Sequence, residues 1–186
     1  MAELILGGQK SGKSRRAELL ARDWLAGGTG RSAVLIATAP GHDAEMRARI
    51  ARHRSDRAAR VPGLQTVEEP LRLAETIAAL STPHSLLVVD CLTLWLTNRL
   101  MPLAGPACSA GELEAAQQAL EQAVLAASGP LLLVGNEIGL GVIPMGREVR
   151  AFVDALGSLN QRMAACCALV TLMAAGLPLV LKDETA

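Results

Sequence analysis

Six short apolar runs divide the chain: ELIL at 3–6, AVLIA at 33–37, SLLVVD at 85–90, PLLLVG at 130–135, ALVTLM at 168–173 and PLVLK at 178–182. Each is continuous rather than alternating, as in strands covered on both faces. Between them, helical periodicity predicts helices over 13–26, 42–57, 69–80, 92–101, 110–128 and 146–166. In the last of these, Val149, Phe152, Val153, Leu156, Leu159 and Met163 share one face, which predicts a single buried stripe. Alternating strands and helices argue for an α/β fold, a mostly parallel sheet with helices on both sides. The final two runs lie too close together for a helical crossover, so they predict an antiparallel hairpin at the C-terminal edge.

Length and charge narrow the class. A chain of 186 residues has room for one domain with a real core, taken as 1–186. Lysine plus arginine and aspartate plus glutamate stand at 18 each, so no global field favours nucleic acid or an anionic membrane. Cys91, Cys108, Cys166 and Cys167 form no C-x-x-C pair and have no histidine at zinc-ligand spacing, which fits a reducing cytoplasm. The start of the chain, with Glu3 and a very short apolar run, is not a signal peptide. Residues 163–181 carry no charge and approach the length of a membrane span. Thr171, Gly176 and Pro178 interrupt them, however, and they read as a helix end followed by two buried strands, with no membrane span.

The densest chemical signal follows the first strand. GGQKSGKS, comprising Gly7, Gly8, Gln9, Lys10, Ser11, Gly12, Lys13 and Ser14, fits G-x-x-x-x-G-K-[ST]. Glycines let backbone amides turn toward a phosphate chain, and the helix beginning near Lys13 adds its positive dipole end. Lys13 is then expected to reach the outer phosphates and the Ser14 hydroxyl to hold Mg2+. A second metal-facing oxygen is expected from Asp90, which ends the strand SLLVVD; an aspartate there also caps helices, but beside a phosphate loop the metal role is preferred. No N-K-x-D segment is present, and LKDE at 181–184 lacks the asparagine, which disfavours a GTPase switch.

Two further segments are candidates for the nucleotide. Thr38, Ala39 and Pro40 follow the second strand at the sheet edge where ligands collect in this architecture, although a turn before a helix explains the same residues. In RIARHRSDR, at 49–57, His53 shares a helical face with Arg49, Ile50, Asp56 and Arg57. The arginines disfavour a second positive charge and keep the imidazole neutral, able to attack a phosphorus while they neutralise its oxygens. Taken alone, a solvated helix face is the simpler account of such a run.

GGQKSGKS, ATAPGHDAEMRARIARHRSDR, TVEEP, VVDCLTLWLTN, GNEIGLGVIP and LNQRMA occur in this order between Leu4 and Lys182. Together they resemble the bifunctional adenosylcobinamide kinase and adenosylcobinamide-phosphate guanylyltransferase family of cobalamin biosynthesis. The resemblance implies a RecA-like P-loop fold, homotrimers, and two reactions. The first transfers the γ-phosphate of ATP or GTP to adenosylcobinamide. The second transfers GMP from GTP to adenosylcobinamide phosphate through a guanylylated histidine, here His53, and releases pyrophosphate. It also implies nucleotide contacts at Gly7 to Ser14, Thr38 to Pro40, Arg54, Ser55, Asp56, Arg57, Glu68 and Asp90. Glutamate can stand at the Asp90 position in the family, and Arg52 stands where some members have a second histidine. Asn136 and Glu137 end the strand PLLLVG toward the same edge; Glu137 suits a substrate or kinase-step role, while the glycines and proline after it suit a turn. Two other readings stay open at this stage: a P-loop small-molecule kinase without nucleotidyl transfer, and a non-catalytic NTP-binding regulator.

Overall fold

The computed structural model describes residues 1–40 and 57–185. Strand β1 (Ala2–Gly7) leads into α1 (Lys13–Ala26), followed by β2 (Ser32–Ala37) and β3 (Leu64–Glu68). Then come α2 (Leu73–Leu80), β4 (Ser85–Asp90), α3 (Leu92–Leu100), α4 (Ala110–Ala126), β5 (Leu131–Val134), α5 (Arg147–Cys166), β6 (Leu169–Ala174) and β7 (Leu177–Asp183). The helix expected over 42–57 lies outside the described residues except at its end, where residues 57–60 are helical.

All strands join one sheet in the order β3-β2-β4-β5-β1-β6-β7. Every pairing is parallel except β6 with β7, the expected hairpin. Parallel pairing brings the carboxyl ends of β1 to β5 to one edge. There the register sets Ala37 beside both Glu68 and Asp90, and Asp90 beside Val134. Sequence positions far apart thus meet in a single row at that edge.

Two cores form on the two faces. On one, Leu4, Ile36, Val89 and Leu133 of the sheet pack with Leu73, Ile77, Trp95, Leu120, Leu156 and Leu159 of α2 to α5. On the other, Ile5, Leu35, Val88 and Val134 meet Ala17 and Ala21 of α1, small residues that let this helix lie close to the sheet. Glu3 is nearly buried between β1, α1 and β6, where its carboxylate accepts from Arg16 Nη2 at 3.0 Å and Thr171 Oγ1 at 2.9 Å. A charge withdrawn from water needs such partners.

Three expectations need correction. Strand β3 was not anticipated: LQTVE is largely exposed and follows Pro62 and Gly63, so it carries no buried-strand signature, yet it pairs fully with β2. The helix expected from residue 69 begins at Leu73, because the Glu69 carboxylate accepts the Leu71 and Arg72 N–H groups and holds the preceding turn. The last strand is not buried: β7 is the sheet edge, and Leu177, Leu179, Val180 and Leu181 are all exposed. Residues 163–181 otherwise divide as expected into a helix end and two strands, and no helix among the described residues is long and apolar enough to cross a membrane.

The predicted stripe on α5 is buried only in its second half. Leu156, Leu159 and Met163 enter the core, whereas Val149 is 54% exposed. Replacing Leu159, fully buried between α5 and the sheet, by alanine should lower unfolding free energy by about 2–5 kcal/mol, read as a shifted urea midpoint. A midpoint within error of wild type would show that α5 does not form this core.

Candidate nucleotide site

The glycine loop between β1 and α1 is shaped by close backbone approach. Gly7 has φ of 151°, and a Cβ there would lie 2.5 Å from the Met173 carbonyl oxygen, so no larger residue fits. Gly12 takes φ of 104° as it starts α1, with no side chain capping the first turn, so the helix presents its amides to the loop. Lys13 Nζ folds over that loop and donates to the Gly8 carbonyl at 2.6 Å. Burial lowers its pKa, against the opposing fields of Cys91 and Asp90.

At the base of the loop Ser14 Oγ donates to Asp90 Oδ1 at 3.3 Å, across 76 positions of sequence. These hard oxygens, a hydroxyl and a carboxylate, are the donors a divalent oxygen-seeking cation takes. Among the described residues no group of three or more His, Cys, Asp or Glu side chains gathers to hold a metal, so a cation here would complete its shell with phosphate oxygens and water. Desolvation pushes the Asp90 carboxyl above its usual range, opposed by Arg57, the Ser14 hydrogen bond and Lys13. Neighbouring Cys91 is pushed up to about 11 by burial and then by Asp90, so its thiol stays protonated and is no nucleophile near neutral pH.

Thr38 is fully buried and its hydroxyl is committed: it donates to the Cys91 carbonyl and accepts from the Cys91 N–H, each at 2.8 Å. Its own carbonyl accepts from Asn98 Nδ2 at 2.8 Å, and the same amide reaches the Pro70 carbonyl at 3.1 Å. The turn Thr38, Ala39, Pro40 is therefore bolted to the strand end that carries Asp90. Glu68 stands at the end of β3, two strand spacings or roughly 10 Å of backbone from Asp90.

Arg57 is buried and pairs through Nε with Glu18 Oε1 at 3.4 Å; Arg60 Nη2 meets Glu18 Oε2 at 3.0 Å. Arg57 also lies near enough to Asp90 to favour its charged form. Glu137 N–H donates to the Gly7 carbonyl at 3.0 Å, while its carboxylate accepts from Gly139 N–H at 2.6 Å. Of the anticipated residues, Gly7 to Ser14, Thr38 to Pro40, Arg57, Glu68 and Asp90 thus share the carboxyl edge of the sheet. His53, Arg54, Ser55 and Asp56 lie outside the described residues. Glu18 and Asn98 were not anticipated as organisers; each acts across dozens of positions, and local spacing carries no trace of such a pairing.

A strand, a glycine loop closing on a lysine, a following helix and a serine–aspartate pair define a P-loop nucleotide-binding protein. The sequence profile of the family described as cobinamide kinase / cobinamide phosphate guanyltransferase matches residues 3–181, and the chain belongs to that family. By that description its members are transferases with two activities. The bifunctional adenosylcobalamin biosynthesis protein CobP of Pseudomonas aeruginosa is 46% identical over 184 residues, covering 99% of each chain. The bifunctional adenosylcobalamin biosynthesis protein CobU of Escherichia coli K12 is 34% identical over 190 residues, covering 98% of this chain and 100% of that one. Among solved structures, the ATPase domain of G40P aligns with a TM-score of 0.55 at 10% identity, covering 100% of this chain and 78% of that one. The flagellar accessory protein FlaH of Methanocaldococcus jannaschii aligns with a TM-score of 0.53 at 11% identity, covering 98% and 78%. At that identity the likeness shows the fold alone.

Asp90 sets a trade between stability and function. A carboxyl whose folded pKa is raised releases its proton less readily folded than unfolded, so its penalty grows as pH rises through the folded value. In EDTA, Asp90→Asn should melt at or above the wild-type temperature near pH 8, with the gap closing on acidification, while nucleotide turnover in magnesium is lost. A variant that melts well below wild type at pH 8 would contradict this.

Proposed function

We propose that this chain, acting as one nucleotide-binding domain over 1–186, phosphorylates adenosylcobinamide with ATP or GTP and then transfers GMP from GTP to adenosylcobinamide phosphate through His53. The observation that carries the reading is the Ser14–Asp90 pair beneath a loop capped by Lys13. This constellation suits phosphoryl chemistry, and family membership supplies the substrate class. The same resemblance carries a homotrimeric, cytoplasmic enzyme.

In the kinase step the loop amides and Lys13 hold the outer phosphates, and the lysine ammonium offsets charge gathering on the transferred group. Ser14 and Asp90 fit Mg2+, which when bound beside the nucleotide supplies further charge neutralisation at the phosphate oxygens. Arg57, held by Glu18, adds a buried guanidinium on the same side. Thr38, Ala39, Pro40 and Glu68 line the edge where the nucleoside lies, Glu68 offering a carboxylate to hydroxyl or amine donors. In the guanylyl step a neutral His53 nitrogen attacks the α-phosphorus. A P–N bond forms, the P–O bond to pyrophosphate breaks, and Arg54 to Arg57 hold the phosphate. An oxygen of adenosylcobinamide phosphate then attacks the same phosphorus and displaces the imidazole, giving adenosylcobinamide-GDP.

Protein incubated with α-labelled GTP should acquire a covalent label that is labile to acid, stable to base and absent from His53→Asn. That variant should keep phosphorylating cobinamide. Phosphorylation without any label in the wild type would leave a small-molecule kinase, and loss of both activities would leave an NTP-binding regulator.

A further inference from the structure

A run of exposed apolar residues follows Glu137. Ile138 is 42% exposed, Leu140 81%, Val142 97%, Ile143 77% and Met145 96%. Single apolar side chains on a surface need no explanation, but a contiguous patch marks a place where something binds. This run is not flat. Arg150 of α5 donates to the Pro144 carbonyl at 2.9 Å and pins the loop against its own helix. Loop and helix together wall a cleft of about 450 Å³. Ile138, Val142 and Ile143 line it with Val153 of α5, and Asp154 and Gln161 add polar groups.

Gly157 also lines this cleft, in the interior of α5. Glycine weakens a helix relative to alanine, so an interior glycine asks for a reason. Packing against the protein is not that reason, because a Cβ at Gly157 would meet no heavy atom within 4 Å. What the glycine leaves is room in the cleft. The cleft opens one residue beyond Glu137, whose N–H bonds the first glycine of the phosphate loop. The cleft wall is thus joined through Glu137 to the phosphate loop, toward which the acceptor of a kinase must reach, though no phosphate-loop residue lines the cleft. Apolar walls, with the Asp154 carboxylate set against the Arg150 guanidinium, offer no net positive charge to a second polyphosphate.

We propose that this cleft receives one edge of the corrin ring of cobinamide, an inference that rests on the kinase and guanylyltransferase reading above. A corrinoid presents a broad apolar macrocycle rimmed by carboxamide arms. Ile138, Val142, Ile143 and Val153 pack on the ring, Asp154 accepts from amide N–H groups, and Gln161 exchanges hydrogen bonds with the same arms. Gly157 leaves space for the ring edge to approach the helix backbone.

Gly157→Leu tests this, because a Cβ at this position meets no heavy atom of the protein within 4 Å, the added side chain takes up room in the cleft, and leucine raises helix propensity. Three quantities are measured in wild type and variant: KM for cobinamide in phosphorylation from ATP, covalent labelling by α-labelled GTP without cobinamide, and mass in solution by light scattering. The expected result is a cobinamide KM raised at least tenfold with labelling and mass as in wild type. An unchanged KM overturns the assignment. So does a fall in mass, which would make the cleft a contact between copies of the chain, and so does loss of labelling, which would assign Gly157 to the nucleotide site or the fold. Failure of the underlying reading looks different: wild-type protein would then neither phosphorylate cobinamide nor take label from GTP.

Discussion

A desolvated carboxylate at the end of a central strand constrains most of what surrounds it. Asp90 terminates β4 among apolar strands, where desolvation raises its pKa and Arg57, the Ser14 hydroxyl and Lys13 oppose the rise. Those groups arrive from two pieces of chain: Lys13 and Ser14 from the first turn of α1, Arg57 from the segment between β2 and β3. Glu18 would worsen the crowding of negative charge, and it is offset by Arg57 and Arg60. Opposite charges are therefore interleaved at this edge, with Lys13, Arg57 and Arg60 set against Glu18 and Asp90, rather than gathered into a field of one sign.

How much of this was legible depends on how local each cause is. The phosphate loop and Asp90 read directly from GGQKSGKS and SLLVVD because a strand, a turn and a helix start are set by neighbouring residues. β3 did not read, since an exposed edge strand needs no apolar run and takes its hydrogen bonds from β2. The tie from Glu18 to Arg57 spans 39 positions and leaves no periodic trace. On α5 the pattern correctly marked apolar positions, but periodicity cannot say whether the space opposite is filled. Leu159 found the sheet, whereas Val149 stays exposed and Val153, half-buried, lines the cleft. Roles for Glu68 and His53 came from resemblance to a family, which carries chemistry that spacing alone cannot supply.

The arrangement also explains how one loop can serve two transfers. Residues 41–56, which carry His53, leave the sheet at Thr38 to Pro40 and return at Arg57. Thr38 is fastened to Cys91 and Asn98, and Arg57 to Glu18. Whatever path the intervening chain takes, both its ends are fixed beside the phosphate loop. On the proposed reading, in which His53 is the nucleophile, fixing both ends of its segment limits the volume the imidazole can search and so raises its effective concentration near the phosphates. The kinase step as proposed would use Lys13, Ser14 and Asp90, which the fold fixes, and would not depend on where His53 lies at that moment. The proposed guanylyl transfer would need His53 at the α-phosphorus, two phosphates further in than the γ-phosphorus of the kinase step. Under that proposal, keeping the phosphate clamp on one part of the chain and the nucleophile on another would let the same bound GTP lose its γ-phosphate or surrender GMP, according to which group reaches it first.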